Sequence, residues 1–421
     1  MYKAPRGTAD ILPHEQGYWR YVEEKAASLC QLSGYQRITT PVFEDLELFT
    51  RIVSEGTDIV DKEMYIFEDR SGQKLALSPE GTAPVCRAYL QHGLYNLPQP
   101  VRLYYIGPAF RYERPQAGRY RQHHQFGIEA IGDADPALDA EVIELANYLF
   151  LSLGLSGFSI RINSIGCRAC RPKYIEALKH HYSPYLASLC PDCKVRLTRN
   201  PLRLLDCKKP SCQKAASTAP KSVGYLCAEC RLHFESVQEY LTAVGLPFHL
   251  DYRLVRGLDY YTRTVFEIQA WEEGAQNALG GGGRYDDLIE ALGGKATPSV
   301  GFAAGIERII SNLKAQKVSI PGLAEPRVFV AYLGEEAKLE AIKLSSRLRT
   351  EGIGVMEATG NKSLKAQLRQ ANASGTSCAV IIGKKEVESR SLLLRNMGSG
   401  EQRSIPQAEI VTALTQSHLL D

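Results

Sequence analysis

The chain has no apolar run approaching the roughly 18 residues that a membrane-spanning helix needs, so no span is expected. Its opening, MYKAPRGTAD, lacks the apolar core of a secretory signal. Net charge is only +3 over 421 residues, too small to argue for nucleic-acid binding by itself. There is no internal repeat and no low-complexity tract. The glycine-rich stretch NALGGGGRYDDLIEALGG (277–294) lacks the Gly-Lys-Ser/Thr of a phosphate loop, and its glycines read as a place of close backbone approach. What remains is an ordinary globular composition, 44% hydrophobic and 23% charged, long enough for two or three domains. A cytoplasmic location is expected, with the eleven cysteines reduced rather than bridged.

The most patterned stretch is RLYYIGPAFRYERPQAGRYRQHHQFGIEAIG, residues 102–132. Residues 101–110 are rich in aromatic and branched side chains and read as a strand. Residues 112–121 hold Pro115 and Gly118 and read as a loop. Residues 122–131 then alternate. His124, Phe126, Ile128 and Ala130 share one parity, and His123, Gln125, Gly127 and Glu129 the other. Same-parity side chains line one face of a strand, so Gln125 and Glu129 fall side by side on a polar face. Such a face inside a large protein suits the floor of a ligand site. The loop adds Arg111, Arg114, Arg119 and Arg121, with Glu113 among them. Guanidinium forks suit phosphate oxygens, although an exposed charged hairpin tip has the same composition.

Elsewhere the first half alternates helix and strand. Residues 14–32 place Tyr18, Val22, Ala26 and Leu29 at helical spacing, and Gly34 stops the helix. Residues 34–51 follow as a short strand with Pro41, and 64–77 as a hairpin turning at 69–72. In LSPEGTAPVCRAYL, Ser78 can cap a helix whose first turn holds Pro79 and Glu80, an acid favoured there by the helix dipole. A helix over 137–153 and a strand over 158–163 come next. RLVRGLDYYTRTVFEI (253–268) is strand-like, with Tyr260 and Tyr261 expected on opposite faces. VGFAAGIERII (300–310) reads as a strand entering a helix, with Arg308 near the helix start.

Composition shifts between residues 164 and 250, where 13 Lys+Arg face 6 Asp+Glu, a balance of +7. Eight cysteines lie there in four pairs: Cys167 and Cys170, Cys190 and Cys193, Cys207 and Cys212, Cys227 and Cys230. Two pairs make one four-thiolate zinc site, so the eight suffice for two structural zinc ions; free buried cysteines acting as small hydrophobes are the alternative. Two such sites, each carrying −2, would cut the balance to about +3. The stretch reads as an inserted, mostly helical domain. After a linker over 314–325, strands and helices alternate from residue 327, and a β-rich segment over 391–405 precedes a last helix. This is an α/β domain with a mixed sheet. Eight Lys+Arg against three Asp+Glu between 361 and 403 make either a solvated helix face or an RNA-facing patch.

These segments resemble, in order, the motifs of a known family, the histidyl-tRNA synthetases of class IIa, bacterial type. RGTADILP resembles the family's start, and the helix, strand and Pro41 resemble motif 1. FRYE, its loop and RYRQHHQFGIEAIG resemble motif 2, and VGFAAGIERII resembles motif 3. RGLDYYTRTVFE and GGGGRYD resemble signatures special to the histidine enzymes. The resemblance implies an α+β catalytic core on an antiparallel sheet (1–163 and 251–320), a helical insertion domain (164–250) near the tRNA acceptor arm, and a C-terminal α/β anticodon-binding domain (326–421). It implies activation of L-histidine by ATP with Mg2+, transfer to the 3′ end of tRNA(His), and a homodimer.

The same resemblance implies a set of site residues. Glu80, Thr82, Arg111, Gln125, Glu129, Arg256, Tyr260, Tyr261 and Tyr285 would bind histidine. Arg111, Glu113, Arg119, His123 and Arg308 would bind ATP, with Arg111 and Arg256 catalytic. His123 departs from a frequent Phe, and Asp287 from a common glycine. Zinc is not a general feature of the family's insertion. The rival reading is a non-catalytic histidine-binding regulatory paralogue, which typically loses the catalytic arginines and the C-terminal domain.

Overall fold

The computed structural model describes residues 2–51, 63–113, 120–270, 278–322 and 327–416. Its strands in chain order are β1 (Gln36–Arg37), β2 (Phe43–Asp45), β3 (Ile66–Glu68), β4 (Lys74–Leu77), β5 (Val101–Phe110), β6 (Gln122–Ile131), β7 (Phe158–Ser164), β8 (His249–Leu250), β9 (Thr262–Ala270), β10 (Ala278–Arg284) and β11 (Ser299–Gly305). Eight of them form one sheet ordered β1-β5-β6-β11-β10-β9-β7-β8. The six central strands are antiparallel, as expected, and the short edge strands β1 and β8 join in parallel. The segment read as one strand with Pro41 is instead two. β1 pairs with β5, while β2 beyond the proline joins a separate sheet, β2-β4-β3. Proline cannot donate to a ladder, which accounts for the break.

The alternation in β6 decides which face is covered. Phe126, Ile128 and Ala130 enter a core with three helices: α1 (Gln16–Leu32), α4 (Pro136–Ser152) and α10 (Ile306–Ala315). Between these in sequence lie α2 (Leu46–Thr50), α3 (Thr82–Gln91), α5 (Arg171–Tyr182), α6 (Pro191–Arg199), α7 (Pro210–Ala216), α8 (Ala228–Ala243) and α9 (Leu288–Ala291). α1 presents Val22, Ala26 and Leu29 as the helical spacing predicts, but its buried aromatic is Trp19 rather than Tyr18, which is only partly covered. α4 begins where Asp135 accepts the Ala137 N–H at 2.8 Å and Pro136 takes the first turn. Phe302 of β11 touches Phe126, Phe150 and Phe266 at ring separations of 6.5, 6.2 and 5.9 Å. The other parity of β6 is left for a cleft.

The chain divides into two compact units, Met1–Pro321 and Gly322–Asp421. Helices α5 to α8, within the stretch expected as an insertion, belong to the first. In the second, β12 (Val328–Tyr332), β13 (Val355–Glu357), β14 (Cys378–Ile382), β15 (Ser391–Asn396) and β16 (Gln402–Pro406) form a sheet ordered β13-β12-β14-β15-β16. Its first three strands are parallel and the last two antiparallel, the mixed sheet expected. Helices α11 (Glu335–Thr350), α12 (Leu364–Ala373), α13 (Lys384–Ser389) and α14 (Ile410–Gln416) complete it.

One buried ion pair stitches the large sheet to α4. Arg284, fully buried at the end of β10, donates from Nε to Asp139 at 2.7 Å and from its two terminal nitrogens to the carbonyls of Asp133 and Asp135 at 2.9 Å. Asp139 also pairs with His233 of α8 at 3.1 Å. Burial alone would raise the Asp139 pKa, but the Arg284 charge and the His233 bond outweigh it and hold the carboxyl below its ordinary range. Removing one partner strands a buried charge. Asp139→Ala is expected to cost about 3–5 kcal/mol in urea unfolding, whereas an exposed pair such as Arg20–Glu24 should cost no more than about 1 kcal/mol.

Candidate active site

The loop before α3 is fixed first. The Ser78 N–H donates to the Val42 carbonyl at 3.0 Å, and the Phe110 N–H donates to the Ser78 carbonyl at 2.9 Å. Ser78 therefore does not cap the helix, which starts at Thr82 rather than Pro79. Glu80 does that work: its two carboxylate oxygens accept the N–H groups of Thr82 at 2.7 Å and Ala83 at 2.9 Å. Its side chain is buried and lines the cleft, so the helix-start role and a ligand-facing position coexist. Burial raises its pKa despite those donors.

Glu129, 1% exposed, lies behind Thr82 rather than in the cleft lining, and its neighbour Tyr285 is likewise outside that lining. Thr82 Oγ1 donates to one carboxylate oxygen at 2.7 Å, and the Tyr285 hydroxyl donates to the other. Burial, aided by the nearby Glu80 charge, pushes the Glu129 pKa from 4.5 up to about 8, against the pull of those two donors. The backbone had to make room. A Cβ on Gly301 of β11 would fall on the Glu129 carboxylate. Gly81 and Gly127 likewise leave space for the buried Tyr105 ring.

Arg256 enters from the other side. It is held by Glu267 of β9 at 2.7 Å, and a Cβ on Gly281 of β10 would fall on its guanidinium. The glycine run is thus a site of close approach, as its composition suggested. Tyr260 and Tyr261 do not point to opposite faces of a strand. β9 begins only at Thr262, and the pair sits in the preceding turn with rings 4.9 Å apart. Both line the cleft, and the Tyr260 hydroxyl donates to Glu80 at 3.4 Å. Gln125 Oε1 and Arg256 Nε are buried without a hydrogen-bond partner among the described residues, which leaves them for a polar ligand.

At the opposite end, Arg111, Glu113, His123 and Arg308 line the same cleft. Arg111 Nε donates to the Pro79 carbonyl at 2.9 Å, and Arg308 to the Ala278 carbonyl at 2.9 Å. Desolvation, then the Arg111 and Arg308 charges, lowers the His123 pKa to about 3, so its imidazole stays neutral at working pH. Arg119 lies outside the described residues. The sequence reading missed Glu267, Leu258, Tyr120 and Glu307. Glu307 accepts the His124 N–H at 2.9 Å, and Leu258 and Tyr120 line the cleft. Only Glu307, beside Arg308 in the strand-to-helix motif, carried a local signal.

The arrangement offers buried carboxylates and hydroxyls at one end and guanidinium groups toward the other. It suits a small zwitterion lying against a polyphosphate. A carboxyl whose folded-state pKa is raised holds its proton more tightly folded than unfolded. Its unfavourable contribution is therefore absent below 4.5 and grows as pH rises to about 8. Relative to Glu129→Gln, the unliganded wild type should lose stability across that window in denaturant titrations at several pH values. A difference independent of pH would contradict the buried-carboxyl description.

Comparison with known proteins agrees with this geometry. A family model for histidyl-tRNA synthetase matches residues 7–309, and one for an anticodon binding domain matches 327–417. A histidine–tRNA ligase of Dehalococcoides mccartyi is 58% identical over 411 residues, 98% of each chain. One from Caldanaerobacter subterraneus is 50% identical over 414 residues, 98% of this chain and 99% of that one. The crystal structure of apo S. aureus histidyl-tRNA synthetase superposes with a TM-score of 0.83 at 37% identity, covering 99% of this chain and 100% of that one. The match thus runs from the Glu80 loop through the glycine strand into the second unit, and the chain belongs to the histidyl-tRNA synthetase family.

Proposed function

We propose that this chain activates L-histidine with ATP to histidyl-adenylate and transfers the histidine to the 3′ end of tRNA(His). The observation that carries this is the hydrogen-bonded set of Glu129, Thr82 and Tyr285 behind a cleft that Thr82, Arg111 and Arg256 line. A neutral imidazole has one donor and one acceptor nitrogen. Glu129 accepts from the ring N–H, and the Tyr261 hydroxyl donates to the other nitrogen, since Tyr285 gives its proton to Glu129. Glu80, Thr82 and the unpartnered Gln125 Oε1 receive the α-ammonium, with Tyr260 beside Glu80. An analogue lacking a ring nitrogen leaves one of these buried groups unpaired, which supports discrimination on the order of 10⁴.

The histidine carboxylate is ionised at neutral pH, so its attack on the α-phosphorus requires no general base. Alignment and charge neutralisation remain as the protein's task. Arg111 takes the α-phosphate, and Arg256 the substrate carboxylate and the developing charge. The neutral His123 ring stacks on adenine, beside Glu113. Arg308 and Arg119 hold the terminal phosphates, and Mg2+ accompanies ATP. Lys362, Lys365, Arg369, Lys384 and Lys385 are exposed on the second unit and suit the backbone of an RNA. Exposed Val42, Phe43, Ile66 and Phe67 around the three-stranded sheet suit a homodimer interface. A cytoplasmic location goes with this reading. The regulatory alternative has less support, because Arg111, Arg256 and Arg308 line the cleft and the C-terminal unit is present.

Steady-state kinetics test the assignment. Glu129→Gln is expected to raise the KM for histidine far more than the KM for ATP, and an equal rise in both would contradict it. Arg256→Ala is expected to lower kcat by roughly 10² or more, as a donor acting on developing charge should. A change confined to KM would remove Arg256 from the chemical step.

A further inference from the structure

The eight cysteines between residues 164 and 250 gather as two separate foursomes. Cys167, Cys170, Cys227 and Cys230 form one, and Cys190, Cys193, Cys207 and Cys212 the other; within each, the sulfurs all lie within 4.8 Å of one another. A tetrahedron with Zn–S bonds of about 2.3 Å has S···S edges of about 3.8 Å. Cys167 to Cys170 is 3.7 Å, Cys167 to Cys227 is 4.0 Å and Cys190 to Cys207 is 3.9 Å. A disulfide would require about 2.05 Å. Groups this tight enclose a single ion rather than a multi-iron cluster. Backbone donors support the sulfurs: the Cys167 N–H points at Cys170 Sγ and the Cys190 N–H at Cys212 Sγ, both at 3.3 Å. Gly166 has φ +73°, and a Cβ there would come within 2.7 Å of Cys170 Sγ.

Both foursomes are tied to the loop that carries Arg256, Tyr260 and Tyr261. Beside the first, Arg171 donates to the carbonyls of Gly166, at 3.1 Å, and Tyr261. Arg263, in the left-handed region at φ 47°, donates its N–H to the Gly166 carbonyl at 2.9 Å and accepts from the Ile165 N–H at 2.8 Å. From the chain between Cys193 and Cys207, Asn200 donates to Asp259, and Arg203 to the Arg256 carbonyl at 3.4 Å. We propose that each foursome binds one zinc ion, and that the two metal knots clamp residues 256–261 from either side as positioning elements for the histidine pocket. The clamp rests on the histidine-activation reading; the metal sites do not.

Elemental analysis of the full chain, purified without chelator, is expected to find about two zinc ions per chain. Cobalt-substituted protein should show the absorption of tetrahedral thiolate coordination. The pairs Cys227→Ser with Cys230→Ser, and Cys207→Ser with Cys212→Ser, should each leave about one ion. Calorimetry should find their histidine Kd raised on the order of tenfold and their ATP Kd changed less than about twofold. Asn200→Ala keeps every thiol. It should retain both ions and still weaken histidine binding, so the clamp stays testable if a cysteine variant does not fold. Eight thiols that react freely in metal-free native protein, or bound iron in place of zinc, would overturn the metal assignment. Two zinc ions with unchanged histidine affinity in Asn200→Ala would overturn the clamp. A wild type carrying two zinc ions but binding no histidine would overturn the activity reading and the clamp together, and leave the metal sites standing.

Discussion

The buried Glu129 carboxyl and the partly exposed Arg256 guanidinium can press against the large sheet only where neighbouring strands carry no side chains. Glu129 on β6 occupies the space a Cβ on Gly301 would take, and Arg256 the space a Cβ on Gly281 would take. A charged group taken from water is costly unless donors or counter-charges surround it. Glu267 does this for Arg256, whereas Thr82 and Tyr285 only partly offset the burial of Glu129, whose carboxyl keeps its proton up to about pH 8. The order of the sheet follows, since β6, β11, β10 and β9 must be neighbours for the glycines to face the charges they admit.

The covered face supports that arrangement. Helices α1, α4 and α10 bury Phe126, Ile128 and Phe302 on one side, so that His123, Gln125 and Glu129 on the other are held on a rigid strand. The Arg284–Asp139 pair locks the end of β10 to α4, next to Tyr285. The proposed histidine pocket thus combines residues of a rigid strand with Glu80, Tyr260 and Arg256, which lie outside helices and strands. Turns need outside ties, which is the role the cysteine foursomes are suited to fill.

How much was legible in the sequence depended on the range of the signal. The bounds of β5 follow from its aromatic and branched composition, and those of β6 and the parity of Gln125 and Glu129 from alternation over ten residues, both local properties. The strand-to-helix step, read over 300–310, followed from its resemblance to motif 3, and the mixed C-terminal sheet from the succession of strand-like and helix-like segments. The Glu267 partner of Arg256, the Asp139 partner of Arg284 and the grouping of cysteines into foursomes were not. Each joins segments apart in the chain, and no local period encodes a partner at that distance. Tyr260 and Tyr261 were misplaced because strand composition begins before the strand does. The Asn200 bond to Asp259 holds that stretch in a turn. Ser78 was misplaced because backbone pairing on both sides kept it extended, against its capping preference.

Histidine-dependent exchange of pyrophosphate into ATP tests the central claim most directly, with the other amino acids as controls. Exchange with histidine alone is predicted, because the proposed reading pairs the two imidazole nitrogens with Glu129 and a facing tyrosine. Histidine binding without exchange would contradict it, and would mean that the arginines in the cleft do not serve adenylation.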